Sequence, residues 1–159
     1  MRSRLLAVFG LAMLLSGPAF ATAGRTSEES RNAAAVEKAF DDWASGRGSV
    51  FELLAPDMKW TIIGSTKSAG IYDRRQLDEL ILAPFNARMA TPLKPVLHRI
   101  HSDGDTVIAL FDATGTRKDG KPYANSYTWY LTMKNNEIVV VTAMLNLAAY
   151  EDVLASPAH

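Results

Sequence analysis

GKPYANSYTWYLTMKNNEIVVVTAMLN, residues 120–146, decides the fold. From Gly120 to Asn146 it reads as one long β-hairpin. Tyr123, Asn125, Tyr127 and Trp129 recur at every second position, so they project from one face of a strand. Asn135-Asn136 supplies a two-residue turn, because asparagine tolerates the positive φ such turns need. The return strand is apolar on both faces, with Ile138, Val140 and Met144 on one and Val139, Val141 and Leu145 on the other. Both faces therefore need cover. The Tyr-Asn-Tyr-Trp face mixes rings with a few hydrogen-bonding groups, which is the composition of a small-molecule pocket.

Working outward, Asp103-Gly104 and Asp119-Gly120 are hairpin-turn pairs at the same spacing as Asn135-Asn136. They predict an antiparallel meander of four strands near 93–102, 105–118, 121–134 and 137–147. Strands this long would reach about 45 Å if flat, more than a small domain can hold. The sheet must curl, and Gly115 is the expected bend or bulge.

The first half of the chain reads as helices with one strand. Thr26 with Glu29 forms a capping box, followed by Val36, Ala39, Phe40 and Trp43 at helical spacing. Gly46 and Gly48 end that helix. Ser49 with Glu52 predicts a short second helix closed by Pro56. Met58 to Gly64 reads as a strand carrying Trp60. Asp73 with Gln76 opens a third helix, whose stripe is Leu77, Leu80, Ile81, Phe85 and Met89 and which Pro84 should kink or stop. The class is therefore α+β: a curled antiparallel sheet, a cone, closed by the N-terminal helices.

Two-residue turns imply a register. Trp129 then pairs with Thr142 and Leu110, Tyr127 with Met144 and Asp112, and Asn125 with Asn146 and Thr114. One face carries Leu110, Asp112, Asn125, Tyr127, Trp129, Thr142, Met144 and Asn146, and is bulky with polar points, as a cavity wall should be. The other carries Ala109, Phe111, Ala113, Ala124, Ser126, Val141 and Ala143. It is flatter, which suits contact with a second copy. A bulge at Gly115 would slip this register and turn Asp112 outward.

The chain has 159 residues and no cysteine, and its formal net charge is zero. That balance argues against electrostatic binding of nucleic acid. Arg2 and Arg4 precede an apolar run, Leu5 to Leu15, too short to span a bilayer. Pro18 and the small-x-small sites Ala19-Phe20-Ala21 and Ala21-Thr22-Ala23 follow. Residues 1–23 thus read as a secretory signal peptide, cleaved near Ala21 or Ala23. Residues 24–159 remain as a single domain, periplasmic or secreted, with no membrane attachment once the leader is gone.

The segments Trp60-Thr-Ile-Ile-Gly64, Ala69-Gly-Ile-Tyr72, Asp103-Gly-Asp-Thr-Val107 and Asp119-Gly-Lys-Pro-Tyr-Ala-Asn-Ser-Tyr-Thr-Trp129 together resemble a SnoaL-like domain. That family lies in the nuclear transport factor 2-like superfamily, with ketosteroid isomerase, limonene epoxide hydrolase and scytalone dehydratase. The resemblance runs over residues about 30 to 155. It implies an α+β cone with a deep pocket and frequent dimers, on a scaffold that hosts enzymes and non-enzymes alike. The Asp that serves as base in the polyketide cyclases corresponds here to Asn146. An amide does not titrate near neutral pH and cannot be a general base.

The expected ligand-binding residues are Trp60, Phe85, Asn125, Tyr127, Trp129, Thr142, Met144 and Asn146. If a base exists, Asp112 beside Tyr127 is the candidate, with burial raising its pKa, and His98 is the other. His98 and His101 point to opposite strand faces and cannot share a metal, so no metal and no cofactor are expected. Three functions stay open. The first is a module binding a small, largely apolar molecule. The second is an isomerase, cyclase or hydrolase using Asp112 or His98 with Tyr127. The third is a dimeric interaction domain, joined through the outer sheet face, with no ligand.

Overall fold

The computed structural model describes residues 27–158. The expected leader and Thr26 of the first capping box lie outside them. Helix α1 (Ser27–Ala44) is followed by a 3-10 turn at Val50–Leu53 and strands β1 (Leu54–Ile62) and β2 (Gly70–Tyr72). Next come α2 (Arg74–Gln76), a π-helical stretch at Leu77–Leu82 and α3 (Ala83–Asn86). The meander follows as β3 (Lys94–Asp103), β4 (Thr106–Thr116), β5 (Pro122–Lys134) and β6 (Glu137–Leu145), and α4 (Leu147–Leu154) closes the chain.

The strands form one open, curled sheet in the order β2-β1-β6-β5-β4-β3. The β3–β6 ladders are antiparallel, and β1 lies parallel to β6. Extra residues bend the sheet: the register shifts between Leu97 and Arg99 in β3, between Thr132 and Met133 of β5 against β6, and between Leu54 and Lys59 in β1. Each such bulge increases local twist.

Helix α1 lays Val36, Ala39 and Phe40 onto the concave face, where they join Val107, Phe111, Leu131 and Val141 in one buried core. Phe40, Phe111 and Leu131 are fully buried. Each such side chain contributes about 1.5–3 kcal/mol of hydrophobic stabilisation. The third helix begins on the expected capping box: Gln76 N donates to Asp73 Oδ1 at 2.8 Å and Asp73 N to Gln76 Oε1 at 3.0 Å. Pro84 neither stops nor sharply breaks it. The preceding turn widens instead, and Ala83 N donates five residues back, to the Asp78 carbonyl. That wider turn gives room to a ring that would crowd the carbonyl four residues earlier.

Several sequence expectations need correction. The second helix is only the 3-10 turn, with Ser49 Oγ accepting from Phe51 N at 3.1 Å. Pro56 lies in β1, within the stretch where the ladder is irregular and a missing N–H costs least. Strand β6 stops at Leu145, and α4 was not foreseen. There is no bulge at Gly115, since the β4–β5 ladder runs unbroken from Thr106 to Thr116. A Cβ at Gly115 would lie 2.8 Å from Met89 Cε and 3.3 Å from Leu93 Cδ2, so close approach explains this glycine.

The register is also one residue away from the expected one. Trp129 pairs with Ala109 and Ala143, and Tyr127 with Phe111 and Leu145. Two causes act. The β4–β5 connection holds three residues, because Arg117 N bonds the Lys121 carbonyl and Gly120 takes a left-handed φ of 82°. Val139 is an extra residue in β6: Met133 pairs with Ile138, but Thr132 pairs with Val140. A one-residue slip moves every side chain of a strand to the opposite face. Ala109, Phe111, Ala113, Val141 and Ala143 therefore face the helices. Leu110, Asp112, Thr142 and Met144 face outward. Strand β5 keeps the expected inner face.

Candidate functional site

A cavity of about 460 Å³ lies between the concave face of the sheet and the helices. The sheet contributes Trp60 and Ile62 from β1, Tyr127 and Trp129 from β5, and Ala143 and Leu145 from β6. Trp43 and Phe51 close it from the end of α1 and the 3-10 turn. Leu77, Ile81 and Phe85 form the helical wall, and Leu147 and Tyr150 come from α4. Asn86 and the segment from Met89 to Leu93 also line it.

The alanines that flank β5 make this space. Ala109, Trp129, Ala143 and Ile62 share one row across four strands. Small neighbours on both sides leave the Trp129 ring free to lie inward. It meets Trp60 edge-on at 4.9 Å and Phe111 edge-on at 4.8 Å, and stacks on Trp43 at 6.3 Å. Phe111 stacks on Tyr127 at 4.8 Å and Phe85 on Tyr150 at 5.4 Å. Edge-to-face and offset contacts of this kind fix ring orientations. Among the described residues lining the cavity, none is Asp, Glu, His, Lys or Arg.

A polar chain runs behind this wall. Asn146 N donates to Asn125 Oδ1 at 3.0 Å. Asn125 Nδ2 donates to the Asn146 carbonyl at 3.0 Å and to Tyr123 Oη at 2.8 Å. Tyr123 Oη lies 2.7 Å from Tyr127 Oη. Tyr150 Oη donates to the Ile81 carbonyl at 2.8 Å. Burial pushes the Tyr123, Tyr127 and Tyr150 phenols above their ordinary range, so all three stay protonated at neutral pH.

The expected site residues separate. Trp60, Phe85, Tyr127 and Trp129 line the cavity. Asn125 is buried in the polar chain behind it. Asn146 caps α4, accepting from Ala149 N at 3.3 Å. Thr142 and Met144 have turned outward with β6. Asp112 and His98 also lie outside: His98 Nε2 is 2.8 Å from Asp112 Oδ2, and Ser126 Oγ donates to Asp112 Oδ1 at 2.6 Å. The Ser126 hydroxyl, then the His98 ring, hold the Asp112 carboxyl below its usual range, the reverse of the expected shift. The cluster is not a hydrolytic triad either, because the carboxylate rather than the imidazole occupies the middle place.

Sequence reasoning missed Phe51, Leu145, Leu147 and Tyr150, and it weighed Trp43 for an aromatic cage but favoured a core role. A signal for α4 was present: Asn146 followed by Leu147, Tyr150 and Val153 is a cap with a helical stripe.

The profile of the SnoaL-like domain family matches residues 36–141, and the chain belongs to that family. A comparison with curated proteins finds no match. Solved structures share the fold at low identity. A candidate SnoaL-like polyketide cyclase from Jannaschia is 16% identical with a TM-score of 0.65, over 84% of this chain and 98% of that one. AclR, a candidate hydroxylase from Streptomyces galilaeus, is 14% identical with a TM-score of 0.63, over 81% and 99%. A nuclear transport factor 2-like protein of unknown function from Burkholderia pseudomallei is 14% identical with a TM-score of 0.64, over 79% and 98%.

Proposed function

We propose that this SnoaL-like domain is exported and binds a small, neutral, largely apolar molecule in its aromatic cavity, without an Asp base. The observation that carries the reading is the uncharged wall. An ionised ligand would lose its hydration there and meet no opposite charge. A flat apolar one would exchange water for Trp60, Phe85 and Trp129. The position that corresponds to the cyclase base is an amide engaged in capping a helix. Asp112 and His98, which the enzyme alternative needs, are on the far side of the sheet.

Thermal shift against neutral steroid, lipid and polyketide sets tests this, with fluorene as a minimal flat probe, because a ligand specific for the folded state raises Tm. At least one neutral polycycle should stabilise the wild type, and Leu145→Trp, which fills the cavity, should abolish the shift. Equal shifts in both proteins would place binding elsewhere.

A second copy would cover the outer face. Leu110, Thr128 and Met144 form one row there, and Leu110, Tyr130, Val140 and Met144 are exposed. The small side chains expected to make this contact mostly face inward, so the apolar outer row now carries it, beside Ala124. Leu110→Lys or Ala124→Lys should halve the mass seen by light scattering. A mass unaffected by either change would count against this interface.

A further inference from the structure

The hydrogen bonds behind the cavity have a direction, and the direction says what the ligand carries. Asn146 N can only donate, so Asn125 must present Oδ1 to it and Nδ2 to Tyr123. Tyr123 Oη thus accepts from Asn125. Tyr123 is 3% exposed, and among the described residues its hydroxyl has one further partner, Tyr127 Oη. Its own proton must therefore point to Tyr127, since the opposite polarity would strand a buried donor. Tyr127 then receives a hydrogen bond, and its own proton needs an acceptor. Of Asn125, Tyr123 and Tyr127, only Tyr127 lines the cavity. A second lining residue, Trp60, also carries a buried N–H that has no partner among the described residues.

We infer that Tyr127 is the donor that selects the ligand, and that the ligand is a flat, neutral molecule bearing a carbonyl or comparable acceptor. This rests on the apolar-ligand reading above and narrows it. Asn125 and Tyr123 are positioning residues. They hold the Tyr127 oxygen as an acceptor, so its O–H is aimed at the cavity before the ligand arrives and little is lost in orienting it.

Fluorene and 9-fluorenone test this, being tricycles of similar size that differ in one carbonyl. By calorimetry the wild type should bind fluorenone about tenfold tighter than fluorene, the upper range for one neutral hydrogen bond. In Tyr127→Phe that ratio should fall to about one. In Tyr123→Phe it should fall part of the way, because the Tyr127 hydroxyl survives but is no longer held. Infrared spectroscopy gives an independent readout. The bound fluorenone carbonyl stretch should lie lower in wild type than in Tyr127→Phe. An identical stretch in the two proteins, or equal affinities for the two tricycles in wild type, overturns the donor and leaves the apolar cavity standing. Failure of both tricycles to bind the wild type overturns the apolar-ligand reading and this inference together.

Discussion

Strand β4 presents two chemistries one residue apart. Phe111 faces the helices, fully buried between Phe40, Tyr127 and Trp129, and the cavity beside it is lined by uncharged groups. Asp112 faces outward, half exposed, between Ser126 and His98. The inner side is an apolar cavity whose described lining carries no Asp, Glu, His, Lys or Arg. The outer side has titratable groups, His98 and Asp112, in a more open groove. The pairing of a carboxylate with a phenol, which would make an acid–base site, is prevented by the thickness of the sheet. Position relative to one sheet thus separates the aromatic cavity from the Asp112–His98 pair.

The largest expected effect that sharpens this contrast is on stability. Phe111→Ala should cost about 3–5 kcal/mol in urea denaturation, the range for removing a buried ring that leaves a void. Asp112→Ala should change stability far less, and equal costs would mean the two faces have been exchanged. Next, Leu145→Trp should lower affinity for fluorene at least about tenfold, as expected where shape and volume limit entry to an apolar pocket, while mass and circular dichroism stay native. The corresponding outer-face change, Met144→Trp, should leave that affinity unaltered. Smaller again, Gly120→Ala should destabilise by about 1 kcal/mol through its left-handed φ. It strains the three-residue loop that sets which way Asp112 points.

The smallest effect is electrostatic. The folded-state pKa of Asp112 is depressed by Ser126 and His98. Its contribution is therefore present above the unfolded value of about 4 and is lost as pH falls through the lower folded value. The difference in Tm between wild type and Asp112→Asn should be small, present above about pH 5, and gone at the acid end. A difference that instead appears only in acid would contradict the hydrogen-bonding assigned to the carboxylate.

The sequence was most legible where one strand carried its own evidence. Tyr123, Asn125, Tyr127 and Trp129 alternate with Ala124, Ser126 and Thr128, and the inner face of β5 follows directly. The faces of β4 and β6 were inferred through turns, and an unseen residue at each step reversed them. The three-residue loop was hidden because Asp-Gly serves two-residue and longer hairpin loops alike. The extra Val139 was hidden in a run of three valines that pack on either face. Strand β4 did contain a corrective signal. Thr106, Leu110, Asp112 and Thr114 alternate with Val107, Ala109, Phe111 and Ala113, and only the second set is free of polar side chains. The cavity residues of α4 were lost for a different reason, since extending β6 to residue 147 consumed the helix cap.

The uncharged cavity is tested most directly by calorimetric titration with a neutral and charged pair, fluorene and fluorene-9-carboxylate, at pH 7. Fluorene should bind and the carboxylate should not, because the described wall offers rings and uncharged polar groups but no cation. Tighter binding of the carboxylate would contradict the assignment of this cavity to a neutral ligand.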